Sequence, residues 1–88
     1  MIRINEDYVI TGDSKDFTLC KDLHSVDKDN NPRYGFIAYC NSVEHALVIL
    51  NRYQQRMTVS KKDMSLQEAA KQFERIEEDL KQYYKRFA

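Results

Sequence analysis

Two cysteines and two histidines, Cys20, His24, Cys40 and His45, are the residues best equipped for chemistry in this 88-residue chain. Together they supply the thiolate and imidazole donors of a zinc site. Their spacing argues against one. There is no C-x-x-C knuckle, and Cys20 and His24 on a single strand would lie ~13 Å apart by strand rise. Only Cys40 and His45 could converge, one ending a strand and the other opening a helix. Two half-buried cysteines and two ordinary histidines are the plainer expectation, with no metal and no cofactor. A Cys20–Cys40 disulfide is disfavoured in a reducing compartment.

"DKDNN", residues 27–31, matches the start of a calcium loop. The sixth position is Pro32, where a glycine must take the sharp turn, and the twelfth is Ala38, where a bidentate glutamate is required. An exposed hairpin loop closed by local Asp and Asn turns is expected instead. No nucleophile elbow, phosphate loop or paired-carboxylate motif is visible. With only Gly12 and Gly35 there is no glycine-rich backbone to cradle a nucleotide. The sequence reads as a non-enzyme.

The elements that would position these residues fall into two halves. Fourteen basic and fourteen acidic residues cancel, which is not the field of a protein that lives on phosphate backbones. "MIRINEDYVI" has charges where a signal peptide would be apolar, and the longest apolar run, "ALVIL", is far short of a membrane span. The expectation is one domain, 1–88, in the cytoplasm.

Residues 1–40 alternate with period two in "IRIN", "YVIT", "FTLCKDL" and "YGFIAYC", separated by turn formers. From residue 41 the period becomes 3.6. "NSVEHALVILNRYQQRM" reads as a helix capped by Asn41 or Ser42, with Glu44 placed for a capping box on Asn41. "TVSKKDMS" interrupts it. A second helix then runs from Leu66 to Phe87 behind the capping box Ser65–Glu68. The fold class is α+β: an antiparallel meander of three or four strands, then two helices in an αα-hairpin, the second long. The first helix should cover the sheet. The second, ~33 Å long, should pack on the first and project beyond the core.

Along that helix Leu66, Ala69, Phe73, Ile76, Leu80, Tyr83 and Phe87 form an apolar stripe. Its first half reads as core. Its second half reads as a partner-binding surface, with Leu80, Tyr83, Tyr84 and Phe87 as anchors and Arg75, Lys81 and Arg86 as a polar rim. Two alternatives accompany this. Arg52, Arg56, Lys61 and Lys62 form a basic cluster that could meet nucleic acid, although Glu74, Glu77, Glu78 and Asp79 would repel phosphate. The stripe could also close on a second copy, giving a homodimer.

Residues 2–50 resemble small bacteriophage and prophage proteins of unknown function. The resemblance rests on Ile2, Ile4, Asn5, Tyr8 and Ile10, on Phe17 and Leu19, on Tyr34, Gly35 and Phe36, and on Ser42, Val43, Glu44, Ala46 and Leu47. It implies a bacterial host cell and an accessory role. By that analogy the chain is expected to bind a bacterial host protein, with a defence system as the narrower target. The matching positions are structural and carry over no catalytic residue.

Overall fold

The structure is a computed structural model that describes the backbone of residues 1–87 and the side chains of residues 1–83. Four strands, β1 (Ile2–Arg3), β2 (Tyr8–Gly12), β3 (Phe17–Val26) and β4 (Pro32–Cys40), form one sheet in the order β1-β2-β3-β4. All neighbours are antiparallel, so the sheet is a meander. Two helices follow, α1 (Val43–Lys61) and α2 (Leu66–Phe87). The chain divides into two compact units, Met1–Ala46 and Leu47–Ala88, and α1 begins in the first and continues in the second.

Local side-chain bonds explain why the sheet unit reverses where it does. Asn5 Oδ1 accepts the N–H groups of Asp7 and Tyr8 between β1 and β2. Asp13 Oδ1 accepts those of Lys15 and Asp16 between β2 and β3. Asp27 Oδ1 accepts those of Asp29 and Asn31 between β3 and β4. A short acceptor that bonds its own backbone two residues on makes a turn without a glycine. Neither glycine has a positive φ; His24 and Asn30 take that conformation instead. The Asp27 carboxylate is thus occupied by backbone, which is the hairpin loop expected of "DKDNN".

The pairing runs further than the alternation suggests. β3 continues through His24 to Val26, and β4 starts at Pro32. A register irregularity between Asp22 and Val26 lets pairing resume at Val26 and Pro32. His24, at φ 53°, lies inside it. A left-handed residue costs about 1–2 kcal/mol, and the N–H of His24 is held by Asp22 Oδ1 at 2.8 Å.

Register also sorts the faces. Ile10 opposes Leu19, and Phe17 opposes Cys40, on one face. Val9 opposes Cys20 on the other. Val9, Ile10 and Leu19 are each 1% exposed or less, so the centre of the sheet is closed on both sides. Burial of each such side chain is worth about 1.5–3 kcal/mol.

Of the two helices, only α1 departs from its expected bounds. α1 does not stop at Met57 but runs on to Lys61. Thr58 and Ser60 return their hydroxyls to the carbonyls of Gln54 and Met57, which accommodates poor helix formers. Its cap is Ser42, whose Oγ accepts the His45 N–H, so the Asn41–Glu44 box is not the one used. α2 spans the residues its stripe predicts, and Ser65 Oγ accepts the Glu68 N–H at 3.1 Å. Lys81 pairs with Glu78 at 3.4 Å, one turn earlier on the same helix. The two helices form an αα-hairpin. Asn51 lines a cleft with Glu77, Leu80 and Lys81, and Gln55, Arg56, Val59 and Ser60 line another with Phe73.

Candidate functional site

The second sheet face carries the most unusual surface of the sheet unit. Between Leu19 and Cys20 the partner on β4 jumps from Ala38 to Phe36. Ile37 is therefore an extra residue, a β-bulge. Strict alternation would put Phe36 and Tyr39 on opposite faces. The bulge puts them on the same one, opposite Cys20 and Thr18. Their rings meet with centroids 4.9 Å apart and planes tilted by 58°, a favourable aromatic geometry. Both are open to solvent, Phe36 at 60% and Tyr39 at 68%. Tyr34 shares the face, half-buried, opposite Asp22. An aromatic row thus runs along the edge strand β4.

An ion-pair cluster borders one end of that row. Arg3 Nη2 donates to Asp22 Oδ2 at 3.0 Å. Its other nitrogen, Nη1, donates to the carbonyls of Asn5 and Glu6. His24 Nε2 lies 2.9 Å from Asp7 Oδ1, and its Nδ1 lies 3.8 Å from Asp22 Oδ1. The bond to Asp7 holds the His24 pKa above its ordinary 6.5, with the charge of Asp22 adding to it. Asp22 moves the opposite way, chiefly because it accepts the His24 N–H, with Arg3 and the imidazole helping. Both ring nitrogens of His24 face carboxylates. Through these contacts the cluster ties the β3 irregularity to the Asn5–Asp7 turn.

The sulfur and imidazole groups do not assemble. Cys20 and Cys40 are free and buried on opposite faces of the sheet. Burial pushes both thiols up, away from the reactive thiolate form. His45 Nδ1 accepts the Asn41 N–H and His24 is with Asp7. Among the described residues no group of three or more His, Cys, Asp or Glu side chains is placed to hold a metal. None of the helices is long and apolar enough, over the described residues, to cross a membrane.

The surface expected on α2 is only partly a surface. Leu80 is 3% exposed and belongs to the interior: the stripe is in contact with its own chain one turn further along than its length suggested. Arg75 and Lys81 are exposed and Tyr83 is half-buried. The side chains of Tyr84, Arg86 and Phe87 lie outside the described residues. Arg52, Arg56, Lys61 and Lys62 are all exposed. Phe36 and Tyr39 were not marked by sequence pattern, because the pattern contains no sign of the bulge that brings them together. Comparison with protein-family models, with curated proteins and with solved structures returns no match. The functional reading therefore rests on side-chain geometry.

Proposed function

We propose that this is a non-enzymatic binding protein that engages another protein through the aromatic row of β4. The observation that carries the reading is the exposed Phe36–Tyr39 pair on an edge strand. Aromatic residues are enriched at protein interfaces and charged ones are depleted from interface centres. From Tyr34 to Cys40 the strand has no charged residue. The Arg3–Asp22–His24–Asp7 cluster supplies the polar border that such centres have. An edge strand also offers unpaired backbone groups to which an extended segment of a partner can add. A bacterial host protein, and more narrowly a defence component, is the partner class supported by the phage-like pattern of residues 2–50.

Tagged protein and its Phe36→Ser/Tyr39→Ser double variant, passed over bacterial lysate, test this. Exposed substitutions cost within about 0.5 kcal/mol each, so the variant should melt close to the parent. Any protein retained by the parent is then purified and titrated against both. The expected result is at least a tenfold weaker Kd for the variant. Equal affinity, or a titration that shows no binding to the parent, would overturn the reading.

A further inference from the structure

The αα-hairpin of the second unit is incompletely closed. Among the described residues of the α2 stripe, only Ala69 and Leu80 are buried; Phe73, Ile76 and Tyr83 stay half-buried and Leu66 is 87% exposed. A cleft of about 360 Å³ lies beside Phe73, lined by Gln55, Arg56, Val59 and Ser60. Val59 is 48% exposed there, in the last turn of α1.

Charge is divided between the two helices on either side of this cleft. From Leu47 to Lys62 there are four basic residues, Arg52, Arg56, Lys61 and Lys62, and no acidic one. From Glu74 to Asp79 there are four acidic residues and one basic. The two stretches lie at the same height in the hairpin, because Asn51 borders Glu77 and Leu80 while Arg56 borders Phe73. Yet Arg52, Arg56, Glu74 and Glu77 have neither a hydrogen bond nor an ion pair among the described residues.

Such a surface is complementary to itself. A two-fold axis parallel to the helices keeps each residue at its height and lays the basic side of one hairpin on the acidic side of another. We propose that the hairpin binds a second copy of this chain as an antiparallel four-helix bundle. Arg52 and Arg56 of each copy then face Glu74 and Glu77 of the other, and the Val59–Phe73 clefts close on one another. Both copies use the same patch, as an isologous interface requires. Two helices of this length offer a face of roughly 600 Å², somewhat below the ~800 Å² per partner of a standard stable interface. The dimer should therefore dissociate on dilution. The inference does not rest on the aromatic row, which lies in the other unit.

Sedimentation equilibrium of the full chain over a concentration series tests it. The expected mass rises from 10.5 kDa towards twice that value. Arg52→Glu/Arg56→Glu and Glu74→Arg/Glu77→Arg should each hold the chain at monomer mass. Mixed in equal amounts, the two charge-reversed proteins should recover the dimer. Val59→Glu, checked for native helix content by circular dichroism, should abolish it by a separate route. A parent that stays monomeric at the highest concentration, or a mixture that does not recover, overturns the proposal. So does an Arg52→Glu/Arg56→Glu variant that keeps the parent's mass profile and loses only retention of a labelled oligonucleotide. Loss of the dimer with Phe36→Ser/Tyr39→Ser instead would place the interface on the sheet and equally overturn it.

Discussion

In the sheet unit the side-chain acceptors Asn5, Asp13, Asp22 and Asp27 each bond backbone two to four residues on, at 2.7–3.0 Å. Longer ties cross the unit, from Arg3 to Asp22 and from His24 to Asp7. In the hairpin unit the bonds made by Asn51, Thr58, Ser60, Ser65 and Lys81 all span four residues or fewer. Burial differs in the same sense. Ile4, Tyr8, Val9, Ile10, Leu19, Cys20, Cys40 and Ala46 are buried in the first unit, against Leu47, Leu50, Ala69 and Leu80 in the second. The sheet is fixed by bonds specific to position. The hairpin is fixed by periodicity and helix caps, which leave its relation to neighbours open. A region built that way is suited to association, and a region built the first way to presenting a rigid surface.

The contrast breaks or sharpens under substitution. Leu19→Ala should have the largest effect, about 3 kcal/mol in urea unfolding, since Leu19 is fully buried and such truncations cost about 2–5 kcal/mol. Leu80→Ala should follow at about 2 kcal/mol, and Leu66→Ala, at an exposed site, should cost under about 0.5 kcal/mol. If Leu80 behaved like Leu66, α2 would be anchored by less than its burial implies. Next come the local acceptors. Asp27→Ala in the sheet and Ser65→Ala at the α2 cap should each cost about 1 kcal/mol. The difference lies in what else changes. Amide exchange should quicken on both strands of the β3–β4 hairpin for the first, and only in the first turn of α2 for the second.

The smallest effect is electrostatic. His24 has a raised pKa in the folded state, so it binds its proton more tightly there than in the unfolded chain. Its contribution is complete below pH 6.5 and is lost as pH rises through the raised value. Asp22 has the opposite sign: its contribution is present above pH 3.8 and is lost as pH falls through the lowered value. Melting temperature followed from about pH 5 to 9, across the ordinary histidine value, should decline on the alkaline side in the parent. Asp7→Ala, which removes the main cause of the histidine shift, should flatten that decline. An unchanged profile would mean that the exposed cluster is screened by solvent.

Much of the fold was legible because single residues announced it. Ser65 and the three-and-four spacing after it place α2 to the residue, and the Asp and Asn of each turn place the strands. What was not legible depends on pairing. Alternation in "YGFIAYC" cannot reveal that Ile37 has no partner, because that is a property of β3 and β4 together. The same holds for Val26 meeting Pro32. Leu80 looked like a surface anchor because one helix's stripe does not say how far its neighbour extends, and α1 goes on to Lys61. The candidate site was hidden for the first of these reasons, since Phe36 and Tyr39 become neighbours only through the bulge.

Ile37 gives the sheet a parity. Every side chain on β4 beyond it has its sidedness inverted relative to an uninterrupted strand, and that inversion is set by chain length, not by residue type. Deleting this one residue would remove the bulge and leave Phe36 and Tyr39 two positions apart, on the same face by plain alternation, whereas flattening the bulge with Ile37 still in the chain would send Tyr39 through to the far side of the sheet. Any amino acid at position 37 that tolerates the bulge would preserve the row. For this surface the register of β4 on either side of position 37 acts as an on–off control, and point substitutions only as a dimmer.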